Sequence, residues 1–154
     1  MKRTSFGTAR CPVARSLDEI GDWWTLLIVR DALRGSTRFS DFETGLGLAK
    51  NILSARLRKM VADGILQTRP SPDRADRHEY HLTEKGRGLH MVLVALRQWS
   101  EANLFTQGEP ITRMRDKRTG APPRRLVLHA ADNTPLAPED ITFRMEKFAA
   151  DPHG

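Results

Sequence analysis

The stretch AKNILSARLRKMVADG spans residues 49–64. Its larger apolar residues recur at the three- and four-residue spacing of one helix face. They are Ile52, Leu53, Leu57, Met60 and Val61. Gly64 follows at the position where a helix commonly ends. We therefore predict a helix from about Ala49 to Asp63 with one apolar and one polar face.

The polar face of this helix carries residue types that recognise DNA. With the apolar face turned inward, the outward positions are Lys50, Asn51, Ser54 and Arg58. Asparagine can bond two edges of adenine and arginine two acceptors of guanine, whereas lysine and serine contact bases or phosphates. Ala49 supplies no capping oxygen, so the first backbone N–H groups can bind a phosphate or water. A solvated helix face is the alternative interpretation.

Arg56 is the ambiguous cation of the same helix. It flanks the apolar stripe, so it either joins the DNA contacts or braces the neighbouring helix. We include it among the DNA-binding candidates and rank it below Arg58.

The flanking sequence predicts further helices and one hairpin. Three shorter helices precede the stretch, at about 12–20, 24–33 and 40–44. After Gly64 the apolar pattern favours two strands, at 65–69 and 78–82, around a proline-bearing loop. A long helix follows from about Glu84 to Leu104. This order predicts a mainly α fold with a small β wing (α+β): a winged helix-turn-helix with recognition helix 49–63 and wing 69–78.

Charge supports an anionic partner only where it is concentrated in space. The chain has 154 residues, with 25 Lys plus Arg against 19 Asp plus Glu, for a net charge of +6. The wing contributes Arg69, Arg74 and Arg77, which either contact the DNA backbone or belong to a solvated loop. The wing also contains Asp73 and Asp76, so its net attraction for phosphate is modest.

Several classes of function lack their motifs. His78 and His81 would point to opposite faces of a strand, which makes a poor metal pair. The sequence has no glycine-rich phosphate loop after a strand and no Gly-x-Ser-x-Gly. Its single cysteine excludes an internal disulfide. We predict no enzymatic activity, no metal site and no cofactor.

The longest apolar runs are far shorter than the roughly 20 residues of a spanning helix. The basic start Met1-Lys2-Arg3 is not followed by the apolar segment of a secretory signal. We therefore predict a cytoplasmic location and no membrane partner.

A series of short motifs runs in order through the first hundred residues. They are CPV at 11–13, LDEIGD at 17–22, WTLLI at 24–28, RDALRG at 30–35, RFS at 38–40, NILS at 51–54, DGIL at 63–66 and LTEKG at 82–86. In these motifs the chain resembles the HxlR-type winged helix-turn-helix transcriptional regulators of bacteria, relatives of the MarR group. The resemblance implies this family's fold, its DNA-binding role and its habit of forming homodimers.

Together these features predict a sequence-specific regulator of transcription that binds double-stranded DNA. A dimer joined by the long helix and the N-terminal helix would bind an inverted repeat, as a repressor if occupancy blocks polymerase. The alternative is a winged-helix protein–protein interaction module without DNA specificity. Residues 1–106 form the predicted DNA-binding and dimerisation domain. Residues 107–154, rich in proline and glycine between short apolar runs, are predicted to be a small β-rich extension of unassigned role.

Cys11 is a candidate redox sensor. Some regulators that the chain resembles have a cysteine here that senses oxidants, and a helix start beside Arg10 and Arg15 favours a thiolate. The alternative is a small buried hydrophobe.

A set of apolar residues could line an effector pocket, form the dimer seam or simply pack in the core. These are Trp23, Trp24, Leu93, Leu96 and Trp99.

Overall fold

The computed structural model describes residues 5–74 and 76–148. Contacts divide the chain into two compact units, Met1–Leu104 and Phe105–Gly154. The elements of the first unit are, in order, α1 (Pro12–Ile20), α2 (Trp23–Leu33), α3 (Phe39–Leu46), α4 (Lys50–Ala62), β1 (Leu66–Pro70), β2 (His78–Leu82), α5 (Glu84–Gly88) and α6 (His90–Asn103). The predicted mainly helical winged helix-turn-helix is confirmed.

The core of the first unit lies between α2, α3, α4 and the base of the hairpin. Its fully buried hydrophobic side chains are Ile28, Val29, Phe42, Leu53, Leu57, Met60, Ile65 and Leu66. Three of them form the inner face of α4 at helical spacing, as the sequence predicts. The apolar stripe is narrower than predicted, because Ile52 is exposed and Val61 is only half-buried.

A glycine turn joins the two helices of the helix-turn-helix. Gly47 ends α3 with a φ of 63°, in the left-handed region that glycine adopts without steric cost. Ala49 then precedes α4 in an extended conformation and supplies no side-chain cap. The first backbone N–H groups of α4 therefore have no side-chain cap from Ala49 and can bind a ligand.

The wing is a two-stranded antiparallel sheet in which Leu66 pairs with Leu82 and Pro70 with His78. Leu66 and Leu82 are buried at its base, which anchors the hairpin to the core. The backbone N–H of Tyr80 donates to the Thr37 carbonyl at 2.7 Å. This bond fixes the wing beside the start of α3.

The segment after the wing differs from the single long helix that the sequence predicts. Gly86 and Gly88 end α5 early, and the N–H of Leu89 bonds to the Gly86 carbonyl in a tighter, three-residue turn at 3.2 Å. α6 then begins at His90. Gly86 has a packing role of its own, because a Cβ there would lie 2.2 Å from the Ile65 carbonyl oxygen.

The second unit differs more from expectation. Among its described residues, 105–148, the structure has one isolated bridge between His129 and Pro135 and one 3-10 turn, Pro138–Asp140, but no strand. The prolines explain the difference, since proline cannot donate to a strand ladder. Local turns shape the segment instead. In one of them Arg118 donates hydrogen bonds to Asp116, which keep the pKa of Asp116 below its ordinary value.

Candidate nucleic-acid interface

The outer face of α4 carries the predicted recognition residues. Lys50, Asn51 and Arg58 are exposed, and Ser54 is half-buried. The Nζ of Lys50 lies 3.9 Å from Oε1 of Glu43 on α3, whereas Arg58 makes no ion pair with any residue the structure describes. The structure thus combines a buried inner face with a polar, cationic outer face on one helix.

Arg56 belongs to a different set of contacts. Its Nη1 donates to Oδ2 of Asp22 at 3.0 Å, and the two side chains are only 23% and 14% exposed. Asp22 also caps α2, since its Oδ1 accepts from the N–H of Thr25 at 3.0 Å. The Nε of Arg56 is buried without an acceptor among the described residues. Of the two alternatives for Arg56, this geometry favours the brace between α4 and α2.

A groove of about 520 Å³ lies between the starts of α3 and α4 and the wing. Its charged lining residues are Arg38, Lys50, Arg74 and Arg77, with Asp73 and Glu79 among them. Two of the three predicted wing arginines therefore lie in this groove. The third, Arg69, is exposed on β1, opposite Glu79 in the strand register.

The groove contains a cation that the sequence reasoning missed. Arg38 precedes α3, and its guanidinium bonds to Asp73 through Nη2 and lies 3.5 Å from Oε1 of Glu79 through Nε. Hydrogen bonding and attraction from Asp73, then from Glu79, raise the pKa of Arg38 above its ordinary value, so its charge is secure. The RFS motif is its only sequence signal, because its partners lie 35 or more positions away.

Glu79 is buried in the wing yet retains hydrogen-bond partners. Its Oε1 accepts from the Ser71 hydroxyl at 3.2 Å, and its Oε2 lies 3.3 Å from Nε2 of His81. A buried carboxylate with several partners is fixed in place. Glu79 therefore orients the Nε end of Arg38.

The other wing arginines differ in their partners. Arg74 forms a two-pronged pair with Asp76, with donor–acceptor distances of 3.2 and 3.0 Å. Arg77 is exposed and has no ion pair within the described part of the chain. The groove therefore mixes cations that already have a carboxylate partner with one that has none.

The candidates for sensing and assembly differ in how far they are buried. Cys11 is exposed and occupies the position just before α1. Trp24 and Leu93 are half-buried and pack against the core, which favours the packing interpretation for these two. Trp23, Leu96 and Trp99 are exposed. They remain available as surface contacts.

The residues that the structure describes also bear on metal binding and membrane insertion. They contain no group of three or more His, Cys, Asp or Glu side chains placed to hold a metal ion. They also contain no helix that is long and apolar enough to cross a membrane.

Comparison with known proteins identifies the family. The family model described as HxlR-like helix-turn-helix matches residues 19–107. Among curated proteins, the uncharacterised HTH-type transcriptional regulator Rv3095 of Mycobacterium tuberculosis is 38% identical over 134 residues, covering 86% of this chain and 80% of its own length.

Solved structures agree with this assignment. The crystal structure of PA1607, described as a candidate transcription factor, has a TM-score of 0.88 and 48% identity, covering 93% of this chain and 100% of that one. The redox regulator HypR in its oxidised form has a TM-score of 0.55 and 31% identity, covering 62% of this chain and 100% of that one. The chain belongs to the HxlR-like helix-turn-helix family and is a transcriptional regulator with a helix-turn-helix domain, not an enzyme.

Proposed function

We propose that this regulator binds double-stranded DNA sequence-specifically, as a homodimer that places α4 in the major groove at each half of an inverted repeat. The observation that carries the proposal is the two-faced character of α4. Leu53, Leu57 and Met60 are fully buried, while Asn51 and Arg58 are exposed on the opposite side. A polar helix held rigidly by its inner face is the element that winged helix-turn-helix proteins insert into the groove.

The individual contacts follow from side-chain chemistry. Arg58 suits the two acceptors of guanine and Asn51 suits adenine, whereas Ser54 and Lys50 suit bases or phosphates. Arg74 and Arg77 on the wing lie beside the start of α4, where the backbone of the same duplex would pass. Arg69 would extend these contacts along the wing. Arg56 is not assigned to DNA, because Asp22 holds it inward.

The dimer is supported by apolar side chains of α1 and α6 that are exposed in the single chain. Neither α1 nor α6 contains a buried residue, yet both carry apolar side chains at helical spacing. Leu17 of α1 and Leu96 and Trp99 of α6 are exposed, and Trp99 is 59% exposed. We assign this surface to a second copy of the chain. A twofold dimer would place the two α4 helices about 34 Å apart, one turn of DNA.

Repression is the simplest outcome of such binding, since a dimer on a promoter excludes polymerase by occupancy.

Control by a redox signal is supported by the exposure of Cys11 at the start of α1. Two Cys11 thiols, one from each subunit, would lose two electrons and two protons to an oxidant and form one disulfide. HypR, a relative of this chain, is described as a redox regulator.

The test is selection of bound sequences from a random duplex pool, with the full chain at a stated salt concentration. We expect enrichment of an inverted repeat whose half-sites are about 10 base pairs apart. We also expect sedimentation of the complex to show two chains per duplex. A pool that remains random after repeated rounds would contradict the proposal and favour the protein–protein interaction module.

A further inference from the structure

We propose that Arg38 is a phosphate-binding residue whose site is occupied by Asp73 in the free protein, so that a DNA backbone phosphate displaces Asp73 when the wing docks. This inference rests on the proposed DNA-binding function. It adds a contact residue and an exchange step to that function.

The two ends of the Arg38 guanidinium have different surroundings. At the Nε end, the side chain of Glu79 is 10% exposed and is fixed by the Ser71 hydroxyl. At the Nη2 end, the side chain of Asp73 is 67% exposed and lies in the wing loop. The buried carboxylate therefore positions the arginine, and the exposed one can be replaced without disturbing the core.

The exchange is favoured by the charge density of DNA. An exposed ion pair such as Arg38–Asp73 shifts an equilibrium by at most about fivefold. A duplex presents about one negative charge per 1.7 Å of its axis, and arginine binds phosphate through two parallel N–H donors. A phosphate that enters the groove is therefore a stronger partner for Nη2 than the Asp73 carboxylate.

The neighbouring cations repeat the same arrangement. Lys50 lies near Glu43, and Arg74 pairs with Asp76 at 3.0 Å. Both cations line the groove that contains Arg38. In the free protein, carboxylates of the chain thus stand where phosphates would bind.

A double-mutant cycle on the full chain tests the proposal. The variants are Asp73→Asn, Arg38→Gln and the two combined, each measured by fluorescence anisotropy on the selected duplex and on a random duplex of equal length across a salt series. We expect Asp73→Asn to tighten binding to both duplexes by about two- to fivefold. Because Asp73 contacts no phosphate, the slope of log K against log salt should stay unchanged. We expect Arg38→Gln to make that slope shallower by about 0.9.

The matched control is Asp76→Asn. It removes the same charge from the same wing loop, and its side chain is 65% exposed, but its partner is Arg74. We expect the gain from Asp73→Asn to disappear in the Arg38→Gln background, while any gain from Asp76→Asn persists there. Arg38→Lys is a second variant that retains the charge, and we expect it to retain the salt slope.

Each result decides between the hypotheses. An equal gain from Asp73→Asn with and without Arg38 would show a general charge effect and overturn the exchange. An Arg38→Gln protein of unchanged affinity and slope would remove the phosphate contact. A wild-type chain that binds neither duplex would overturn the proposed function together with this inference, whereas the first two outcomes overturn the inference alone.

Discussion

Arg56 and Arg58 are two positions apart on α4, and we expect their replacement to have opposite consequences. Arg56 is paired with Asp22 between two helices, whereas Arg58 is exposed. Arg56→Met should lower stability and leave the DNA affinity of the folded protein nearly unchanged. Arg58→Met should lower DNA affinity and leave stability nearly unchanged. Methionine retains much of the apolar stem in both variants, so the comparison isolates the charged group.

The magnitude for Arg56 follows from its burial. Breaking a fully buried ion pair costs about 3–5 kcal/mol, and an exposed pair contributes about 0–1 kcal/mol. The Arg56–Asp22 pair is 23% and 14% exposed, which places it between these limits. Asp22 retains the N–H of Thr25 as a partner after the change. We therefore expect a loss of about 2 kcal/mol, or a fall in Tm of roughly 10 °C for a domain of this size.

The magnitude for Arg58 follows from its proposed contact. If its guanidinium bonds to guanine, its loss should cost about 1–3 kcal/mol of binding free energy and relax the base preference at one position. Its exposed site predicts a change in stability within about 0.5 kcal/mol. Thermal unfolding by circular dichroism measures the change in stability. Anisotropy on the selected duplex, at a temperature below the Tm of either variant, measures the change in affinity. A large loss of affinity in Arg56→Met without a fall in Tm would refute the assignment.

Four further changes test other parts of the structure. Lys50→Ala should weaken operator binding and reduce the salt slope by about one unit if Lys50 contacts a phosphate; unchanged affinity and slope would exclude that contact. Gly86→Ala should cost about 1–3 kcal/mol in unfolding free energy, because a Cβ would lie 2.2 Å from the Ile65 carbonyl oxygen; a Tm equal to wild type would show that the helix start can shift at no cost. Trp99→Glu should convert the dimer into monomers, measured by sedimentation equilibrium; a variant that remains dimeric would exclude α6 from the seam. Cys11→Ser should abolish the effect of diamide on operator binding, and a shift that persists in this variant would show that Cys11 is not the sensor.

The parts of the fold that the sequence predicts correctly are those set by local periodicity. The inner face of α4 follows from Leu53, Leu57 and Met60 at helical spacing, and the structure buries all three. The hairpin follows from the change of period after Gly64. Each of these two patterns is formed by residues that are close together in the sequence. Each can therefore be recognised without knowledge of the rest of the chain.

The roles of the arginines depend on distant partners and could not be predicted in the same way. Arg56 is 34 positions from Asp22, and Arg38 is 35 positions from Asp73. Sequence spacing places Arg56 at the edge of the apolar stripe, where inward and outward positions are equally compatible with the helix. Only the packing of α4 against the start of α2 decides between them.

In the C-terminal unit, amino-acid composition alone does not predict secondary structure correctly. The apolar runs 126–128 and 141–143 have strand-like residues, yet a strand also needs a partner with free donors and acceptors. Pro135 and Pro138 lie between the two runs and supply no N–H. The described residues therefore form turns, while the local composition alone favours strands.

Ion pairing at the proposed DNA-binding surface affects the salt slope and the affinity differently, whereas a count of cations does not distinguish them. The salt slope reports how many phosphates are neutralised, because condensed counterions leave the duplex and not the isolated carboxylates of the protein. The affinity also includes the cost of breaking each internal pair. Lys50, near Glu43, and Arg38, paired with Asp73, should therefore contribute fully to the slope and only partly to the affinity. The net charge of +6 predicts neither quantity, since the geometry of each pair decides what the duplex must displace.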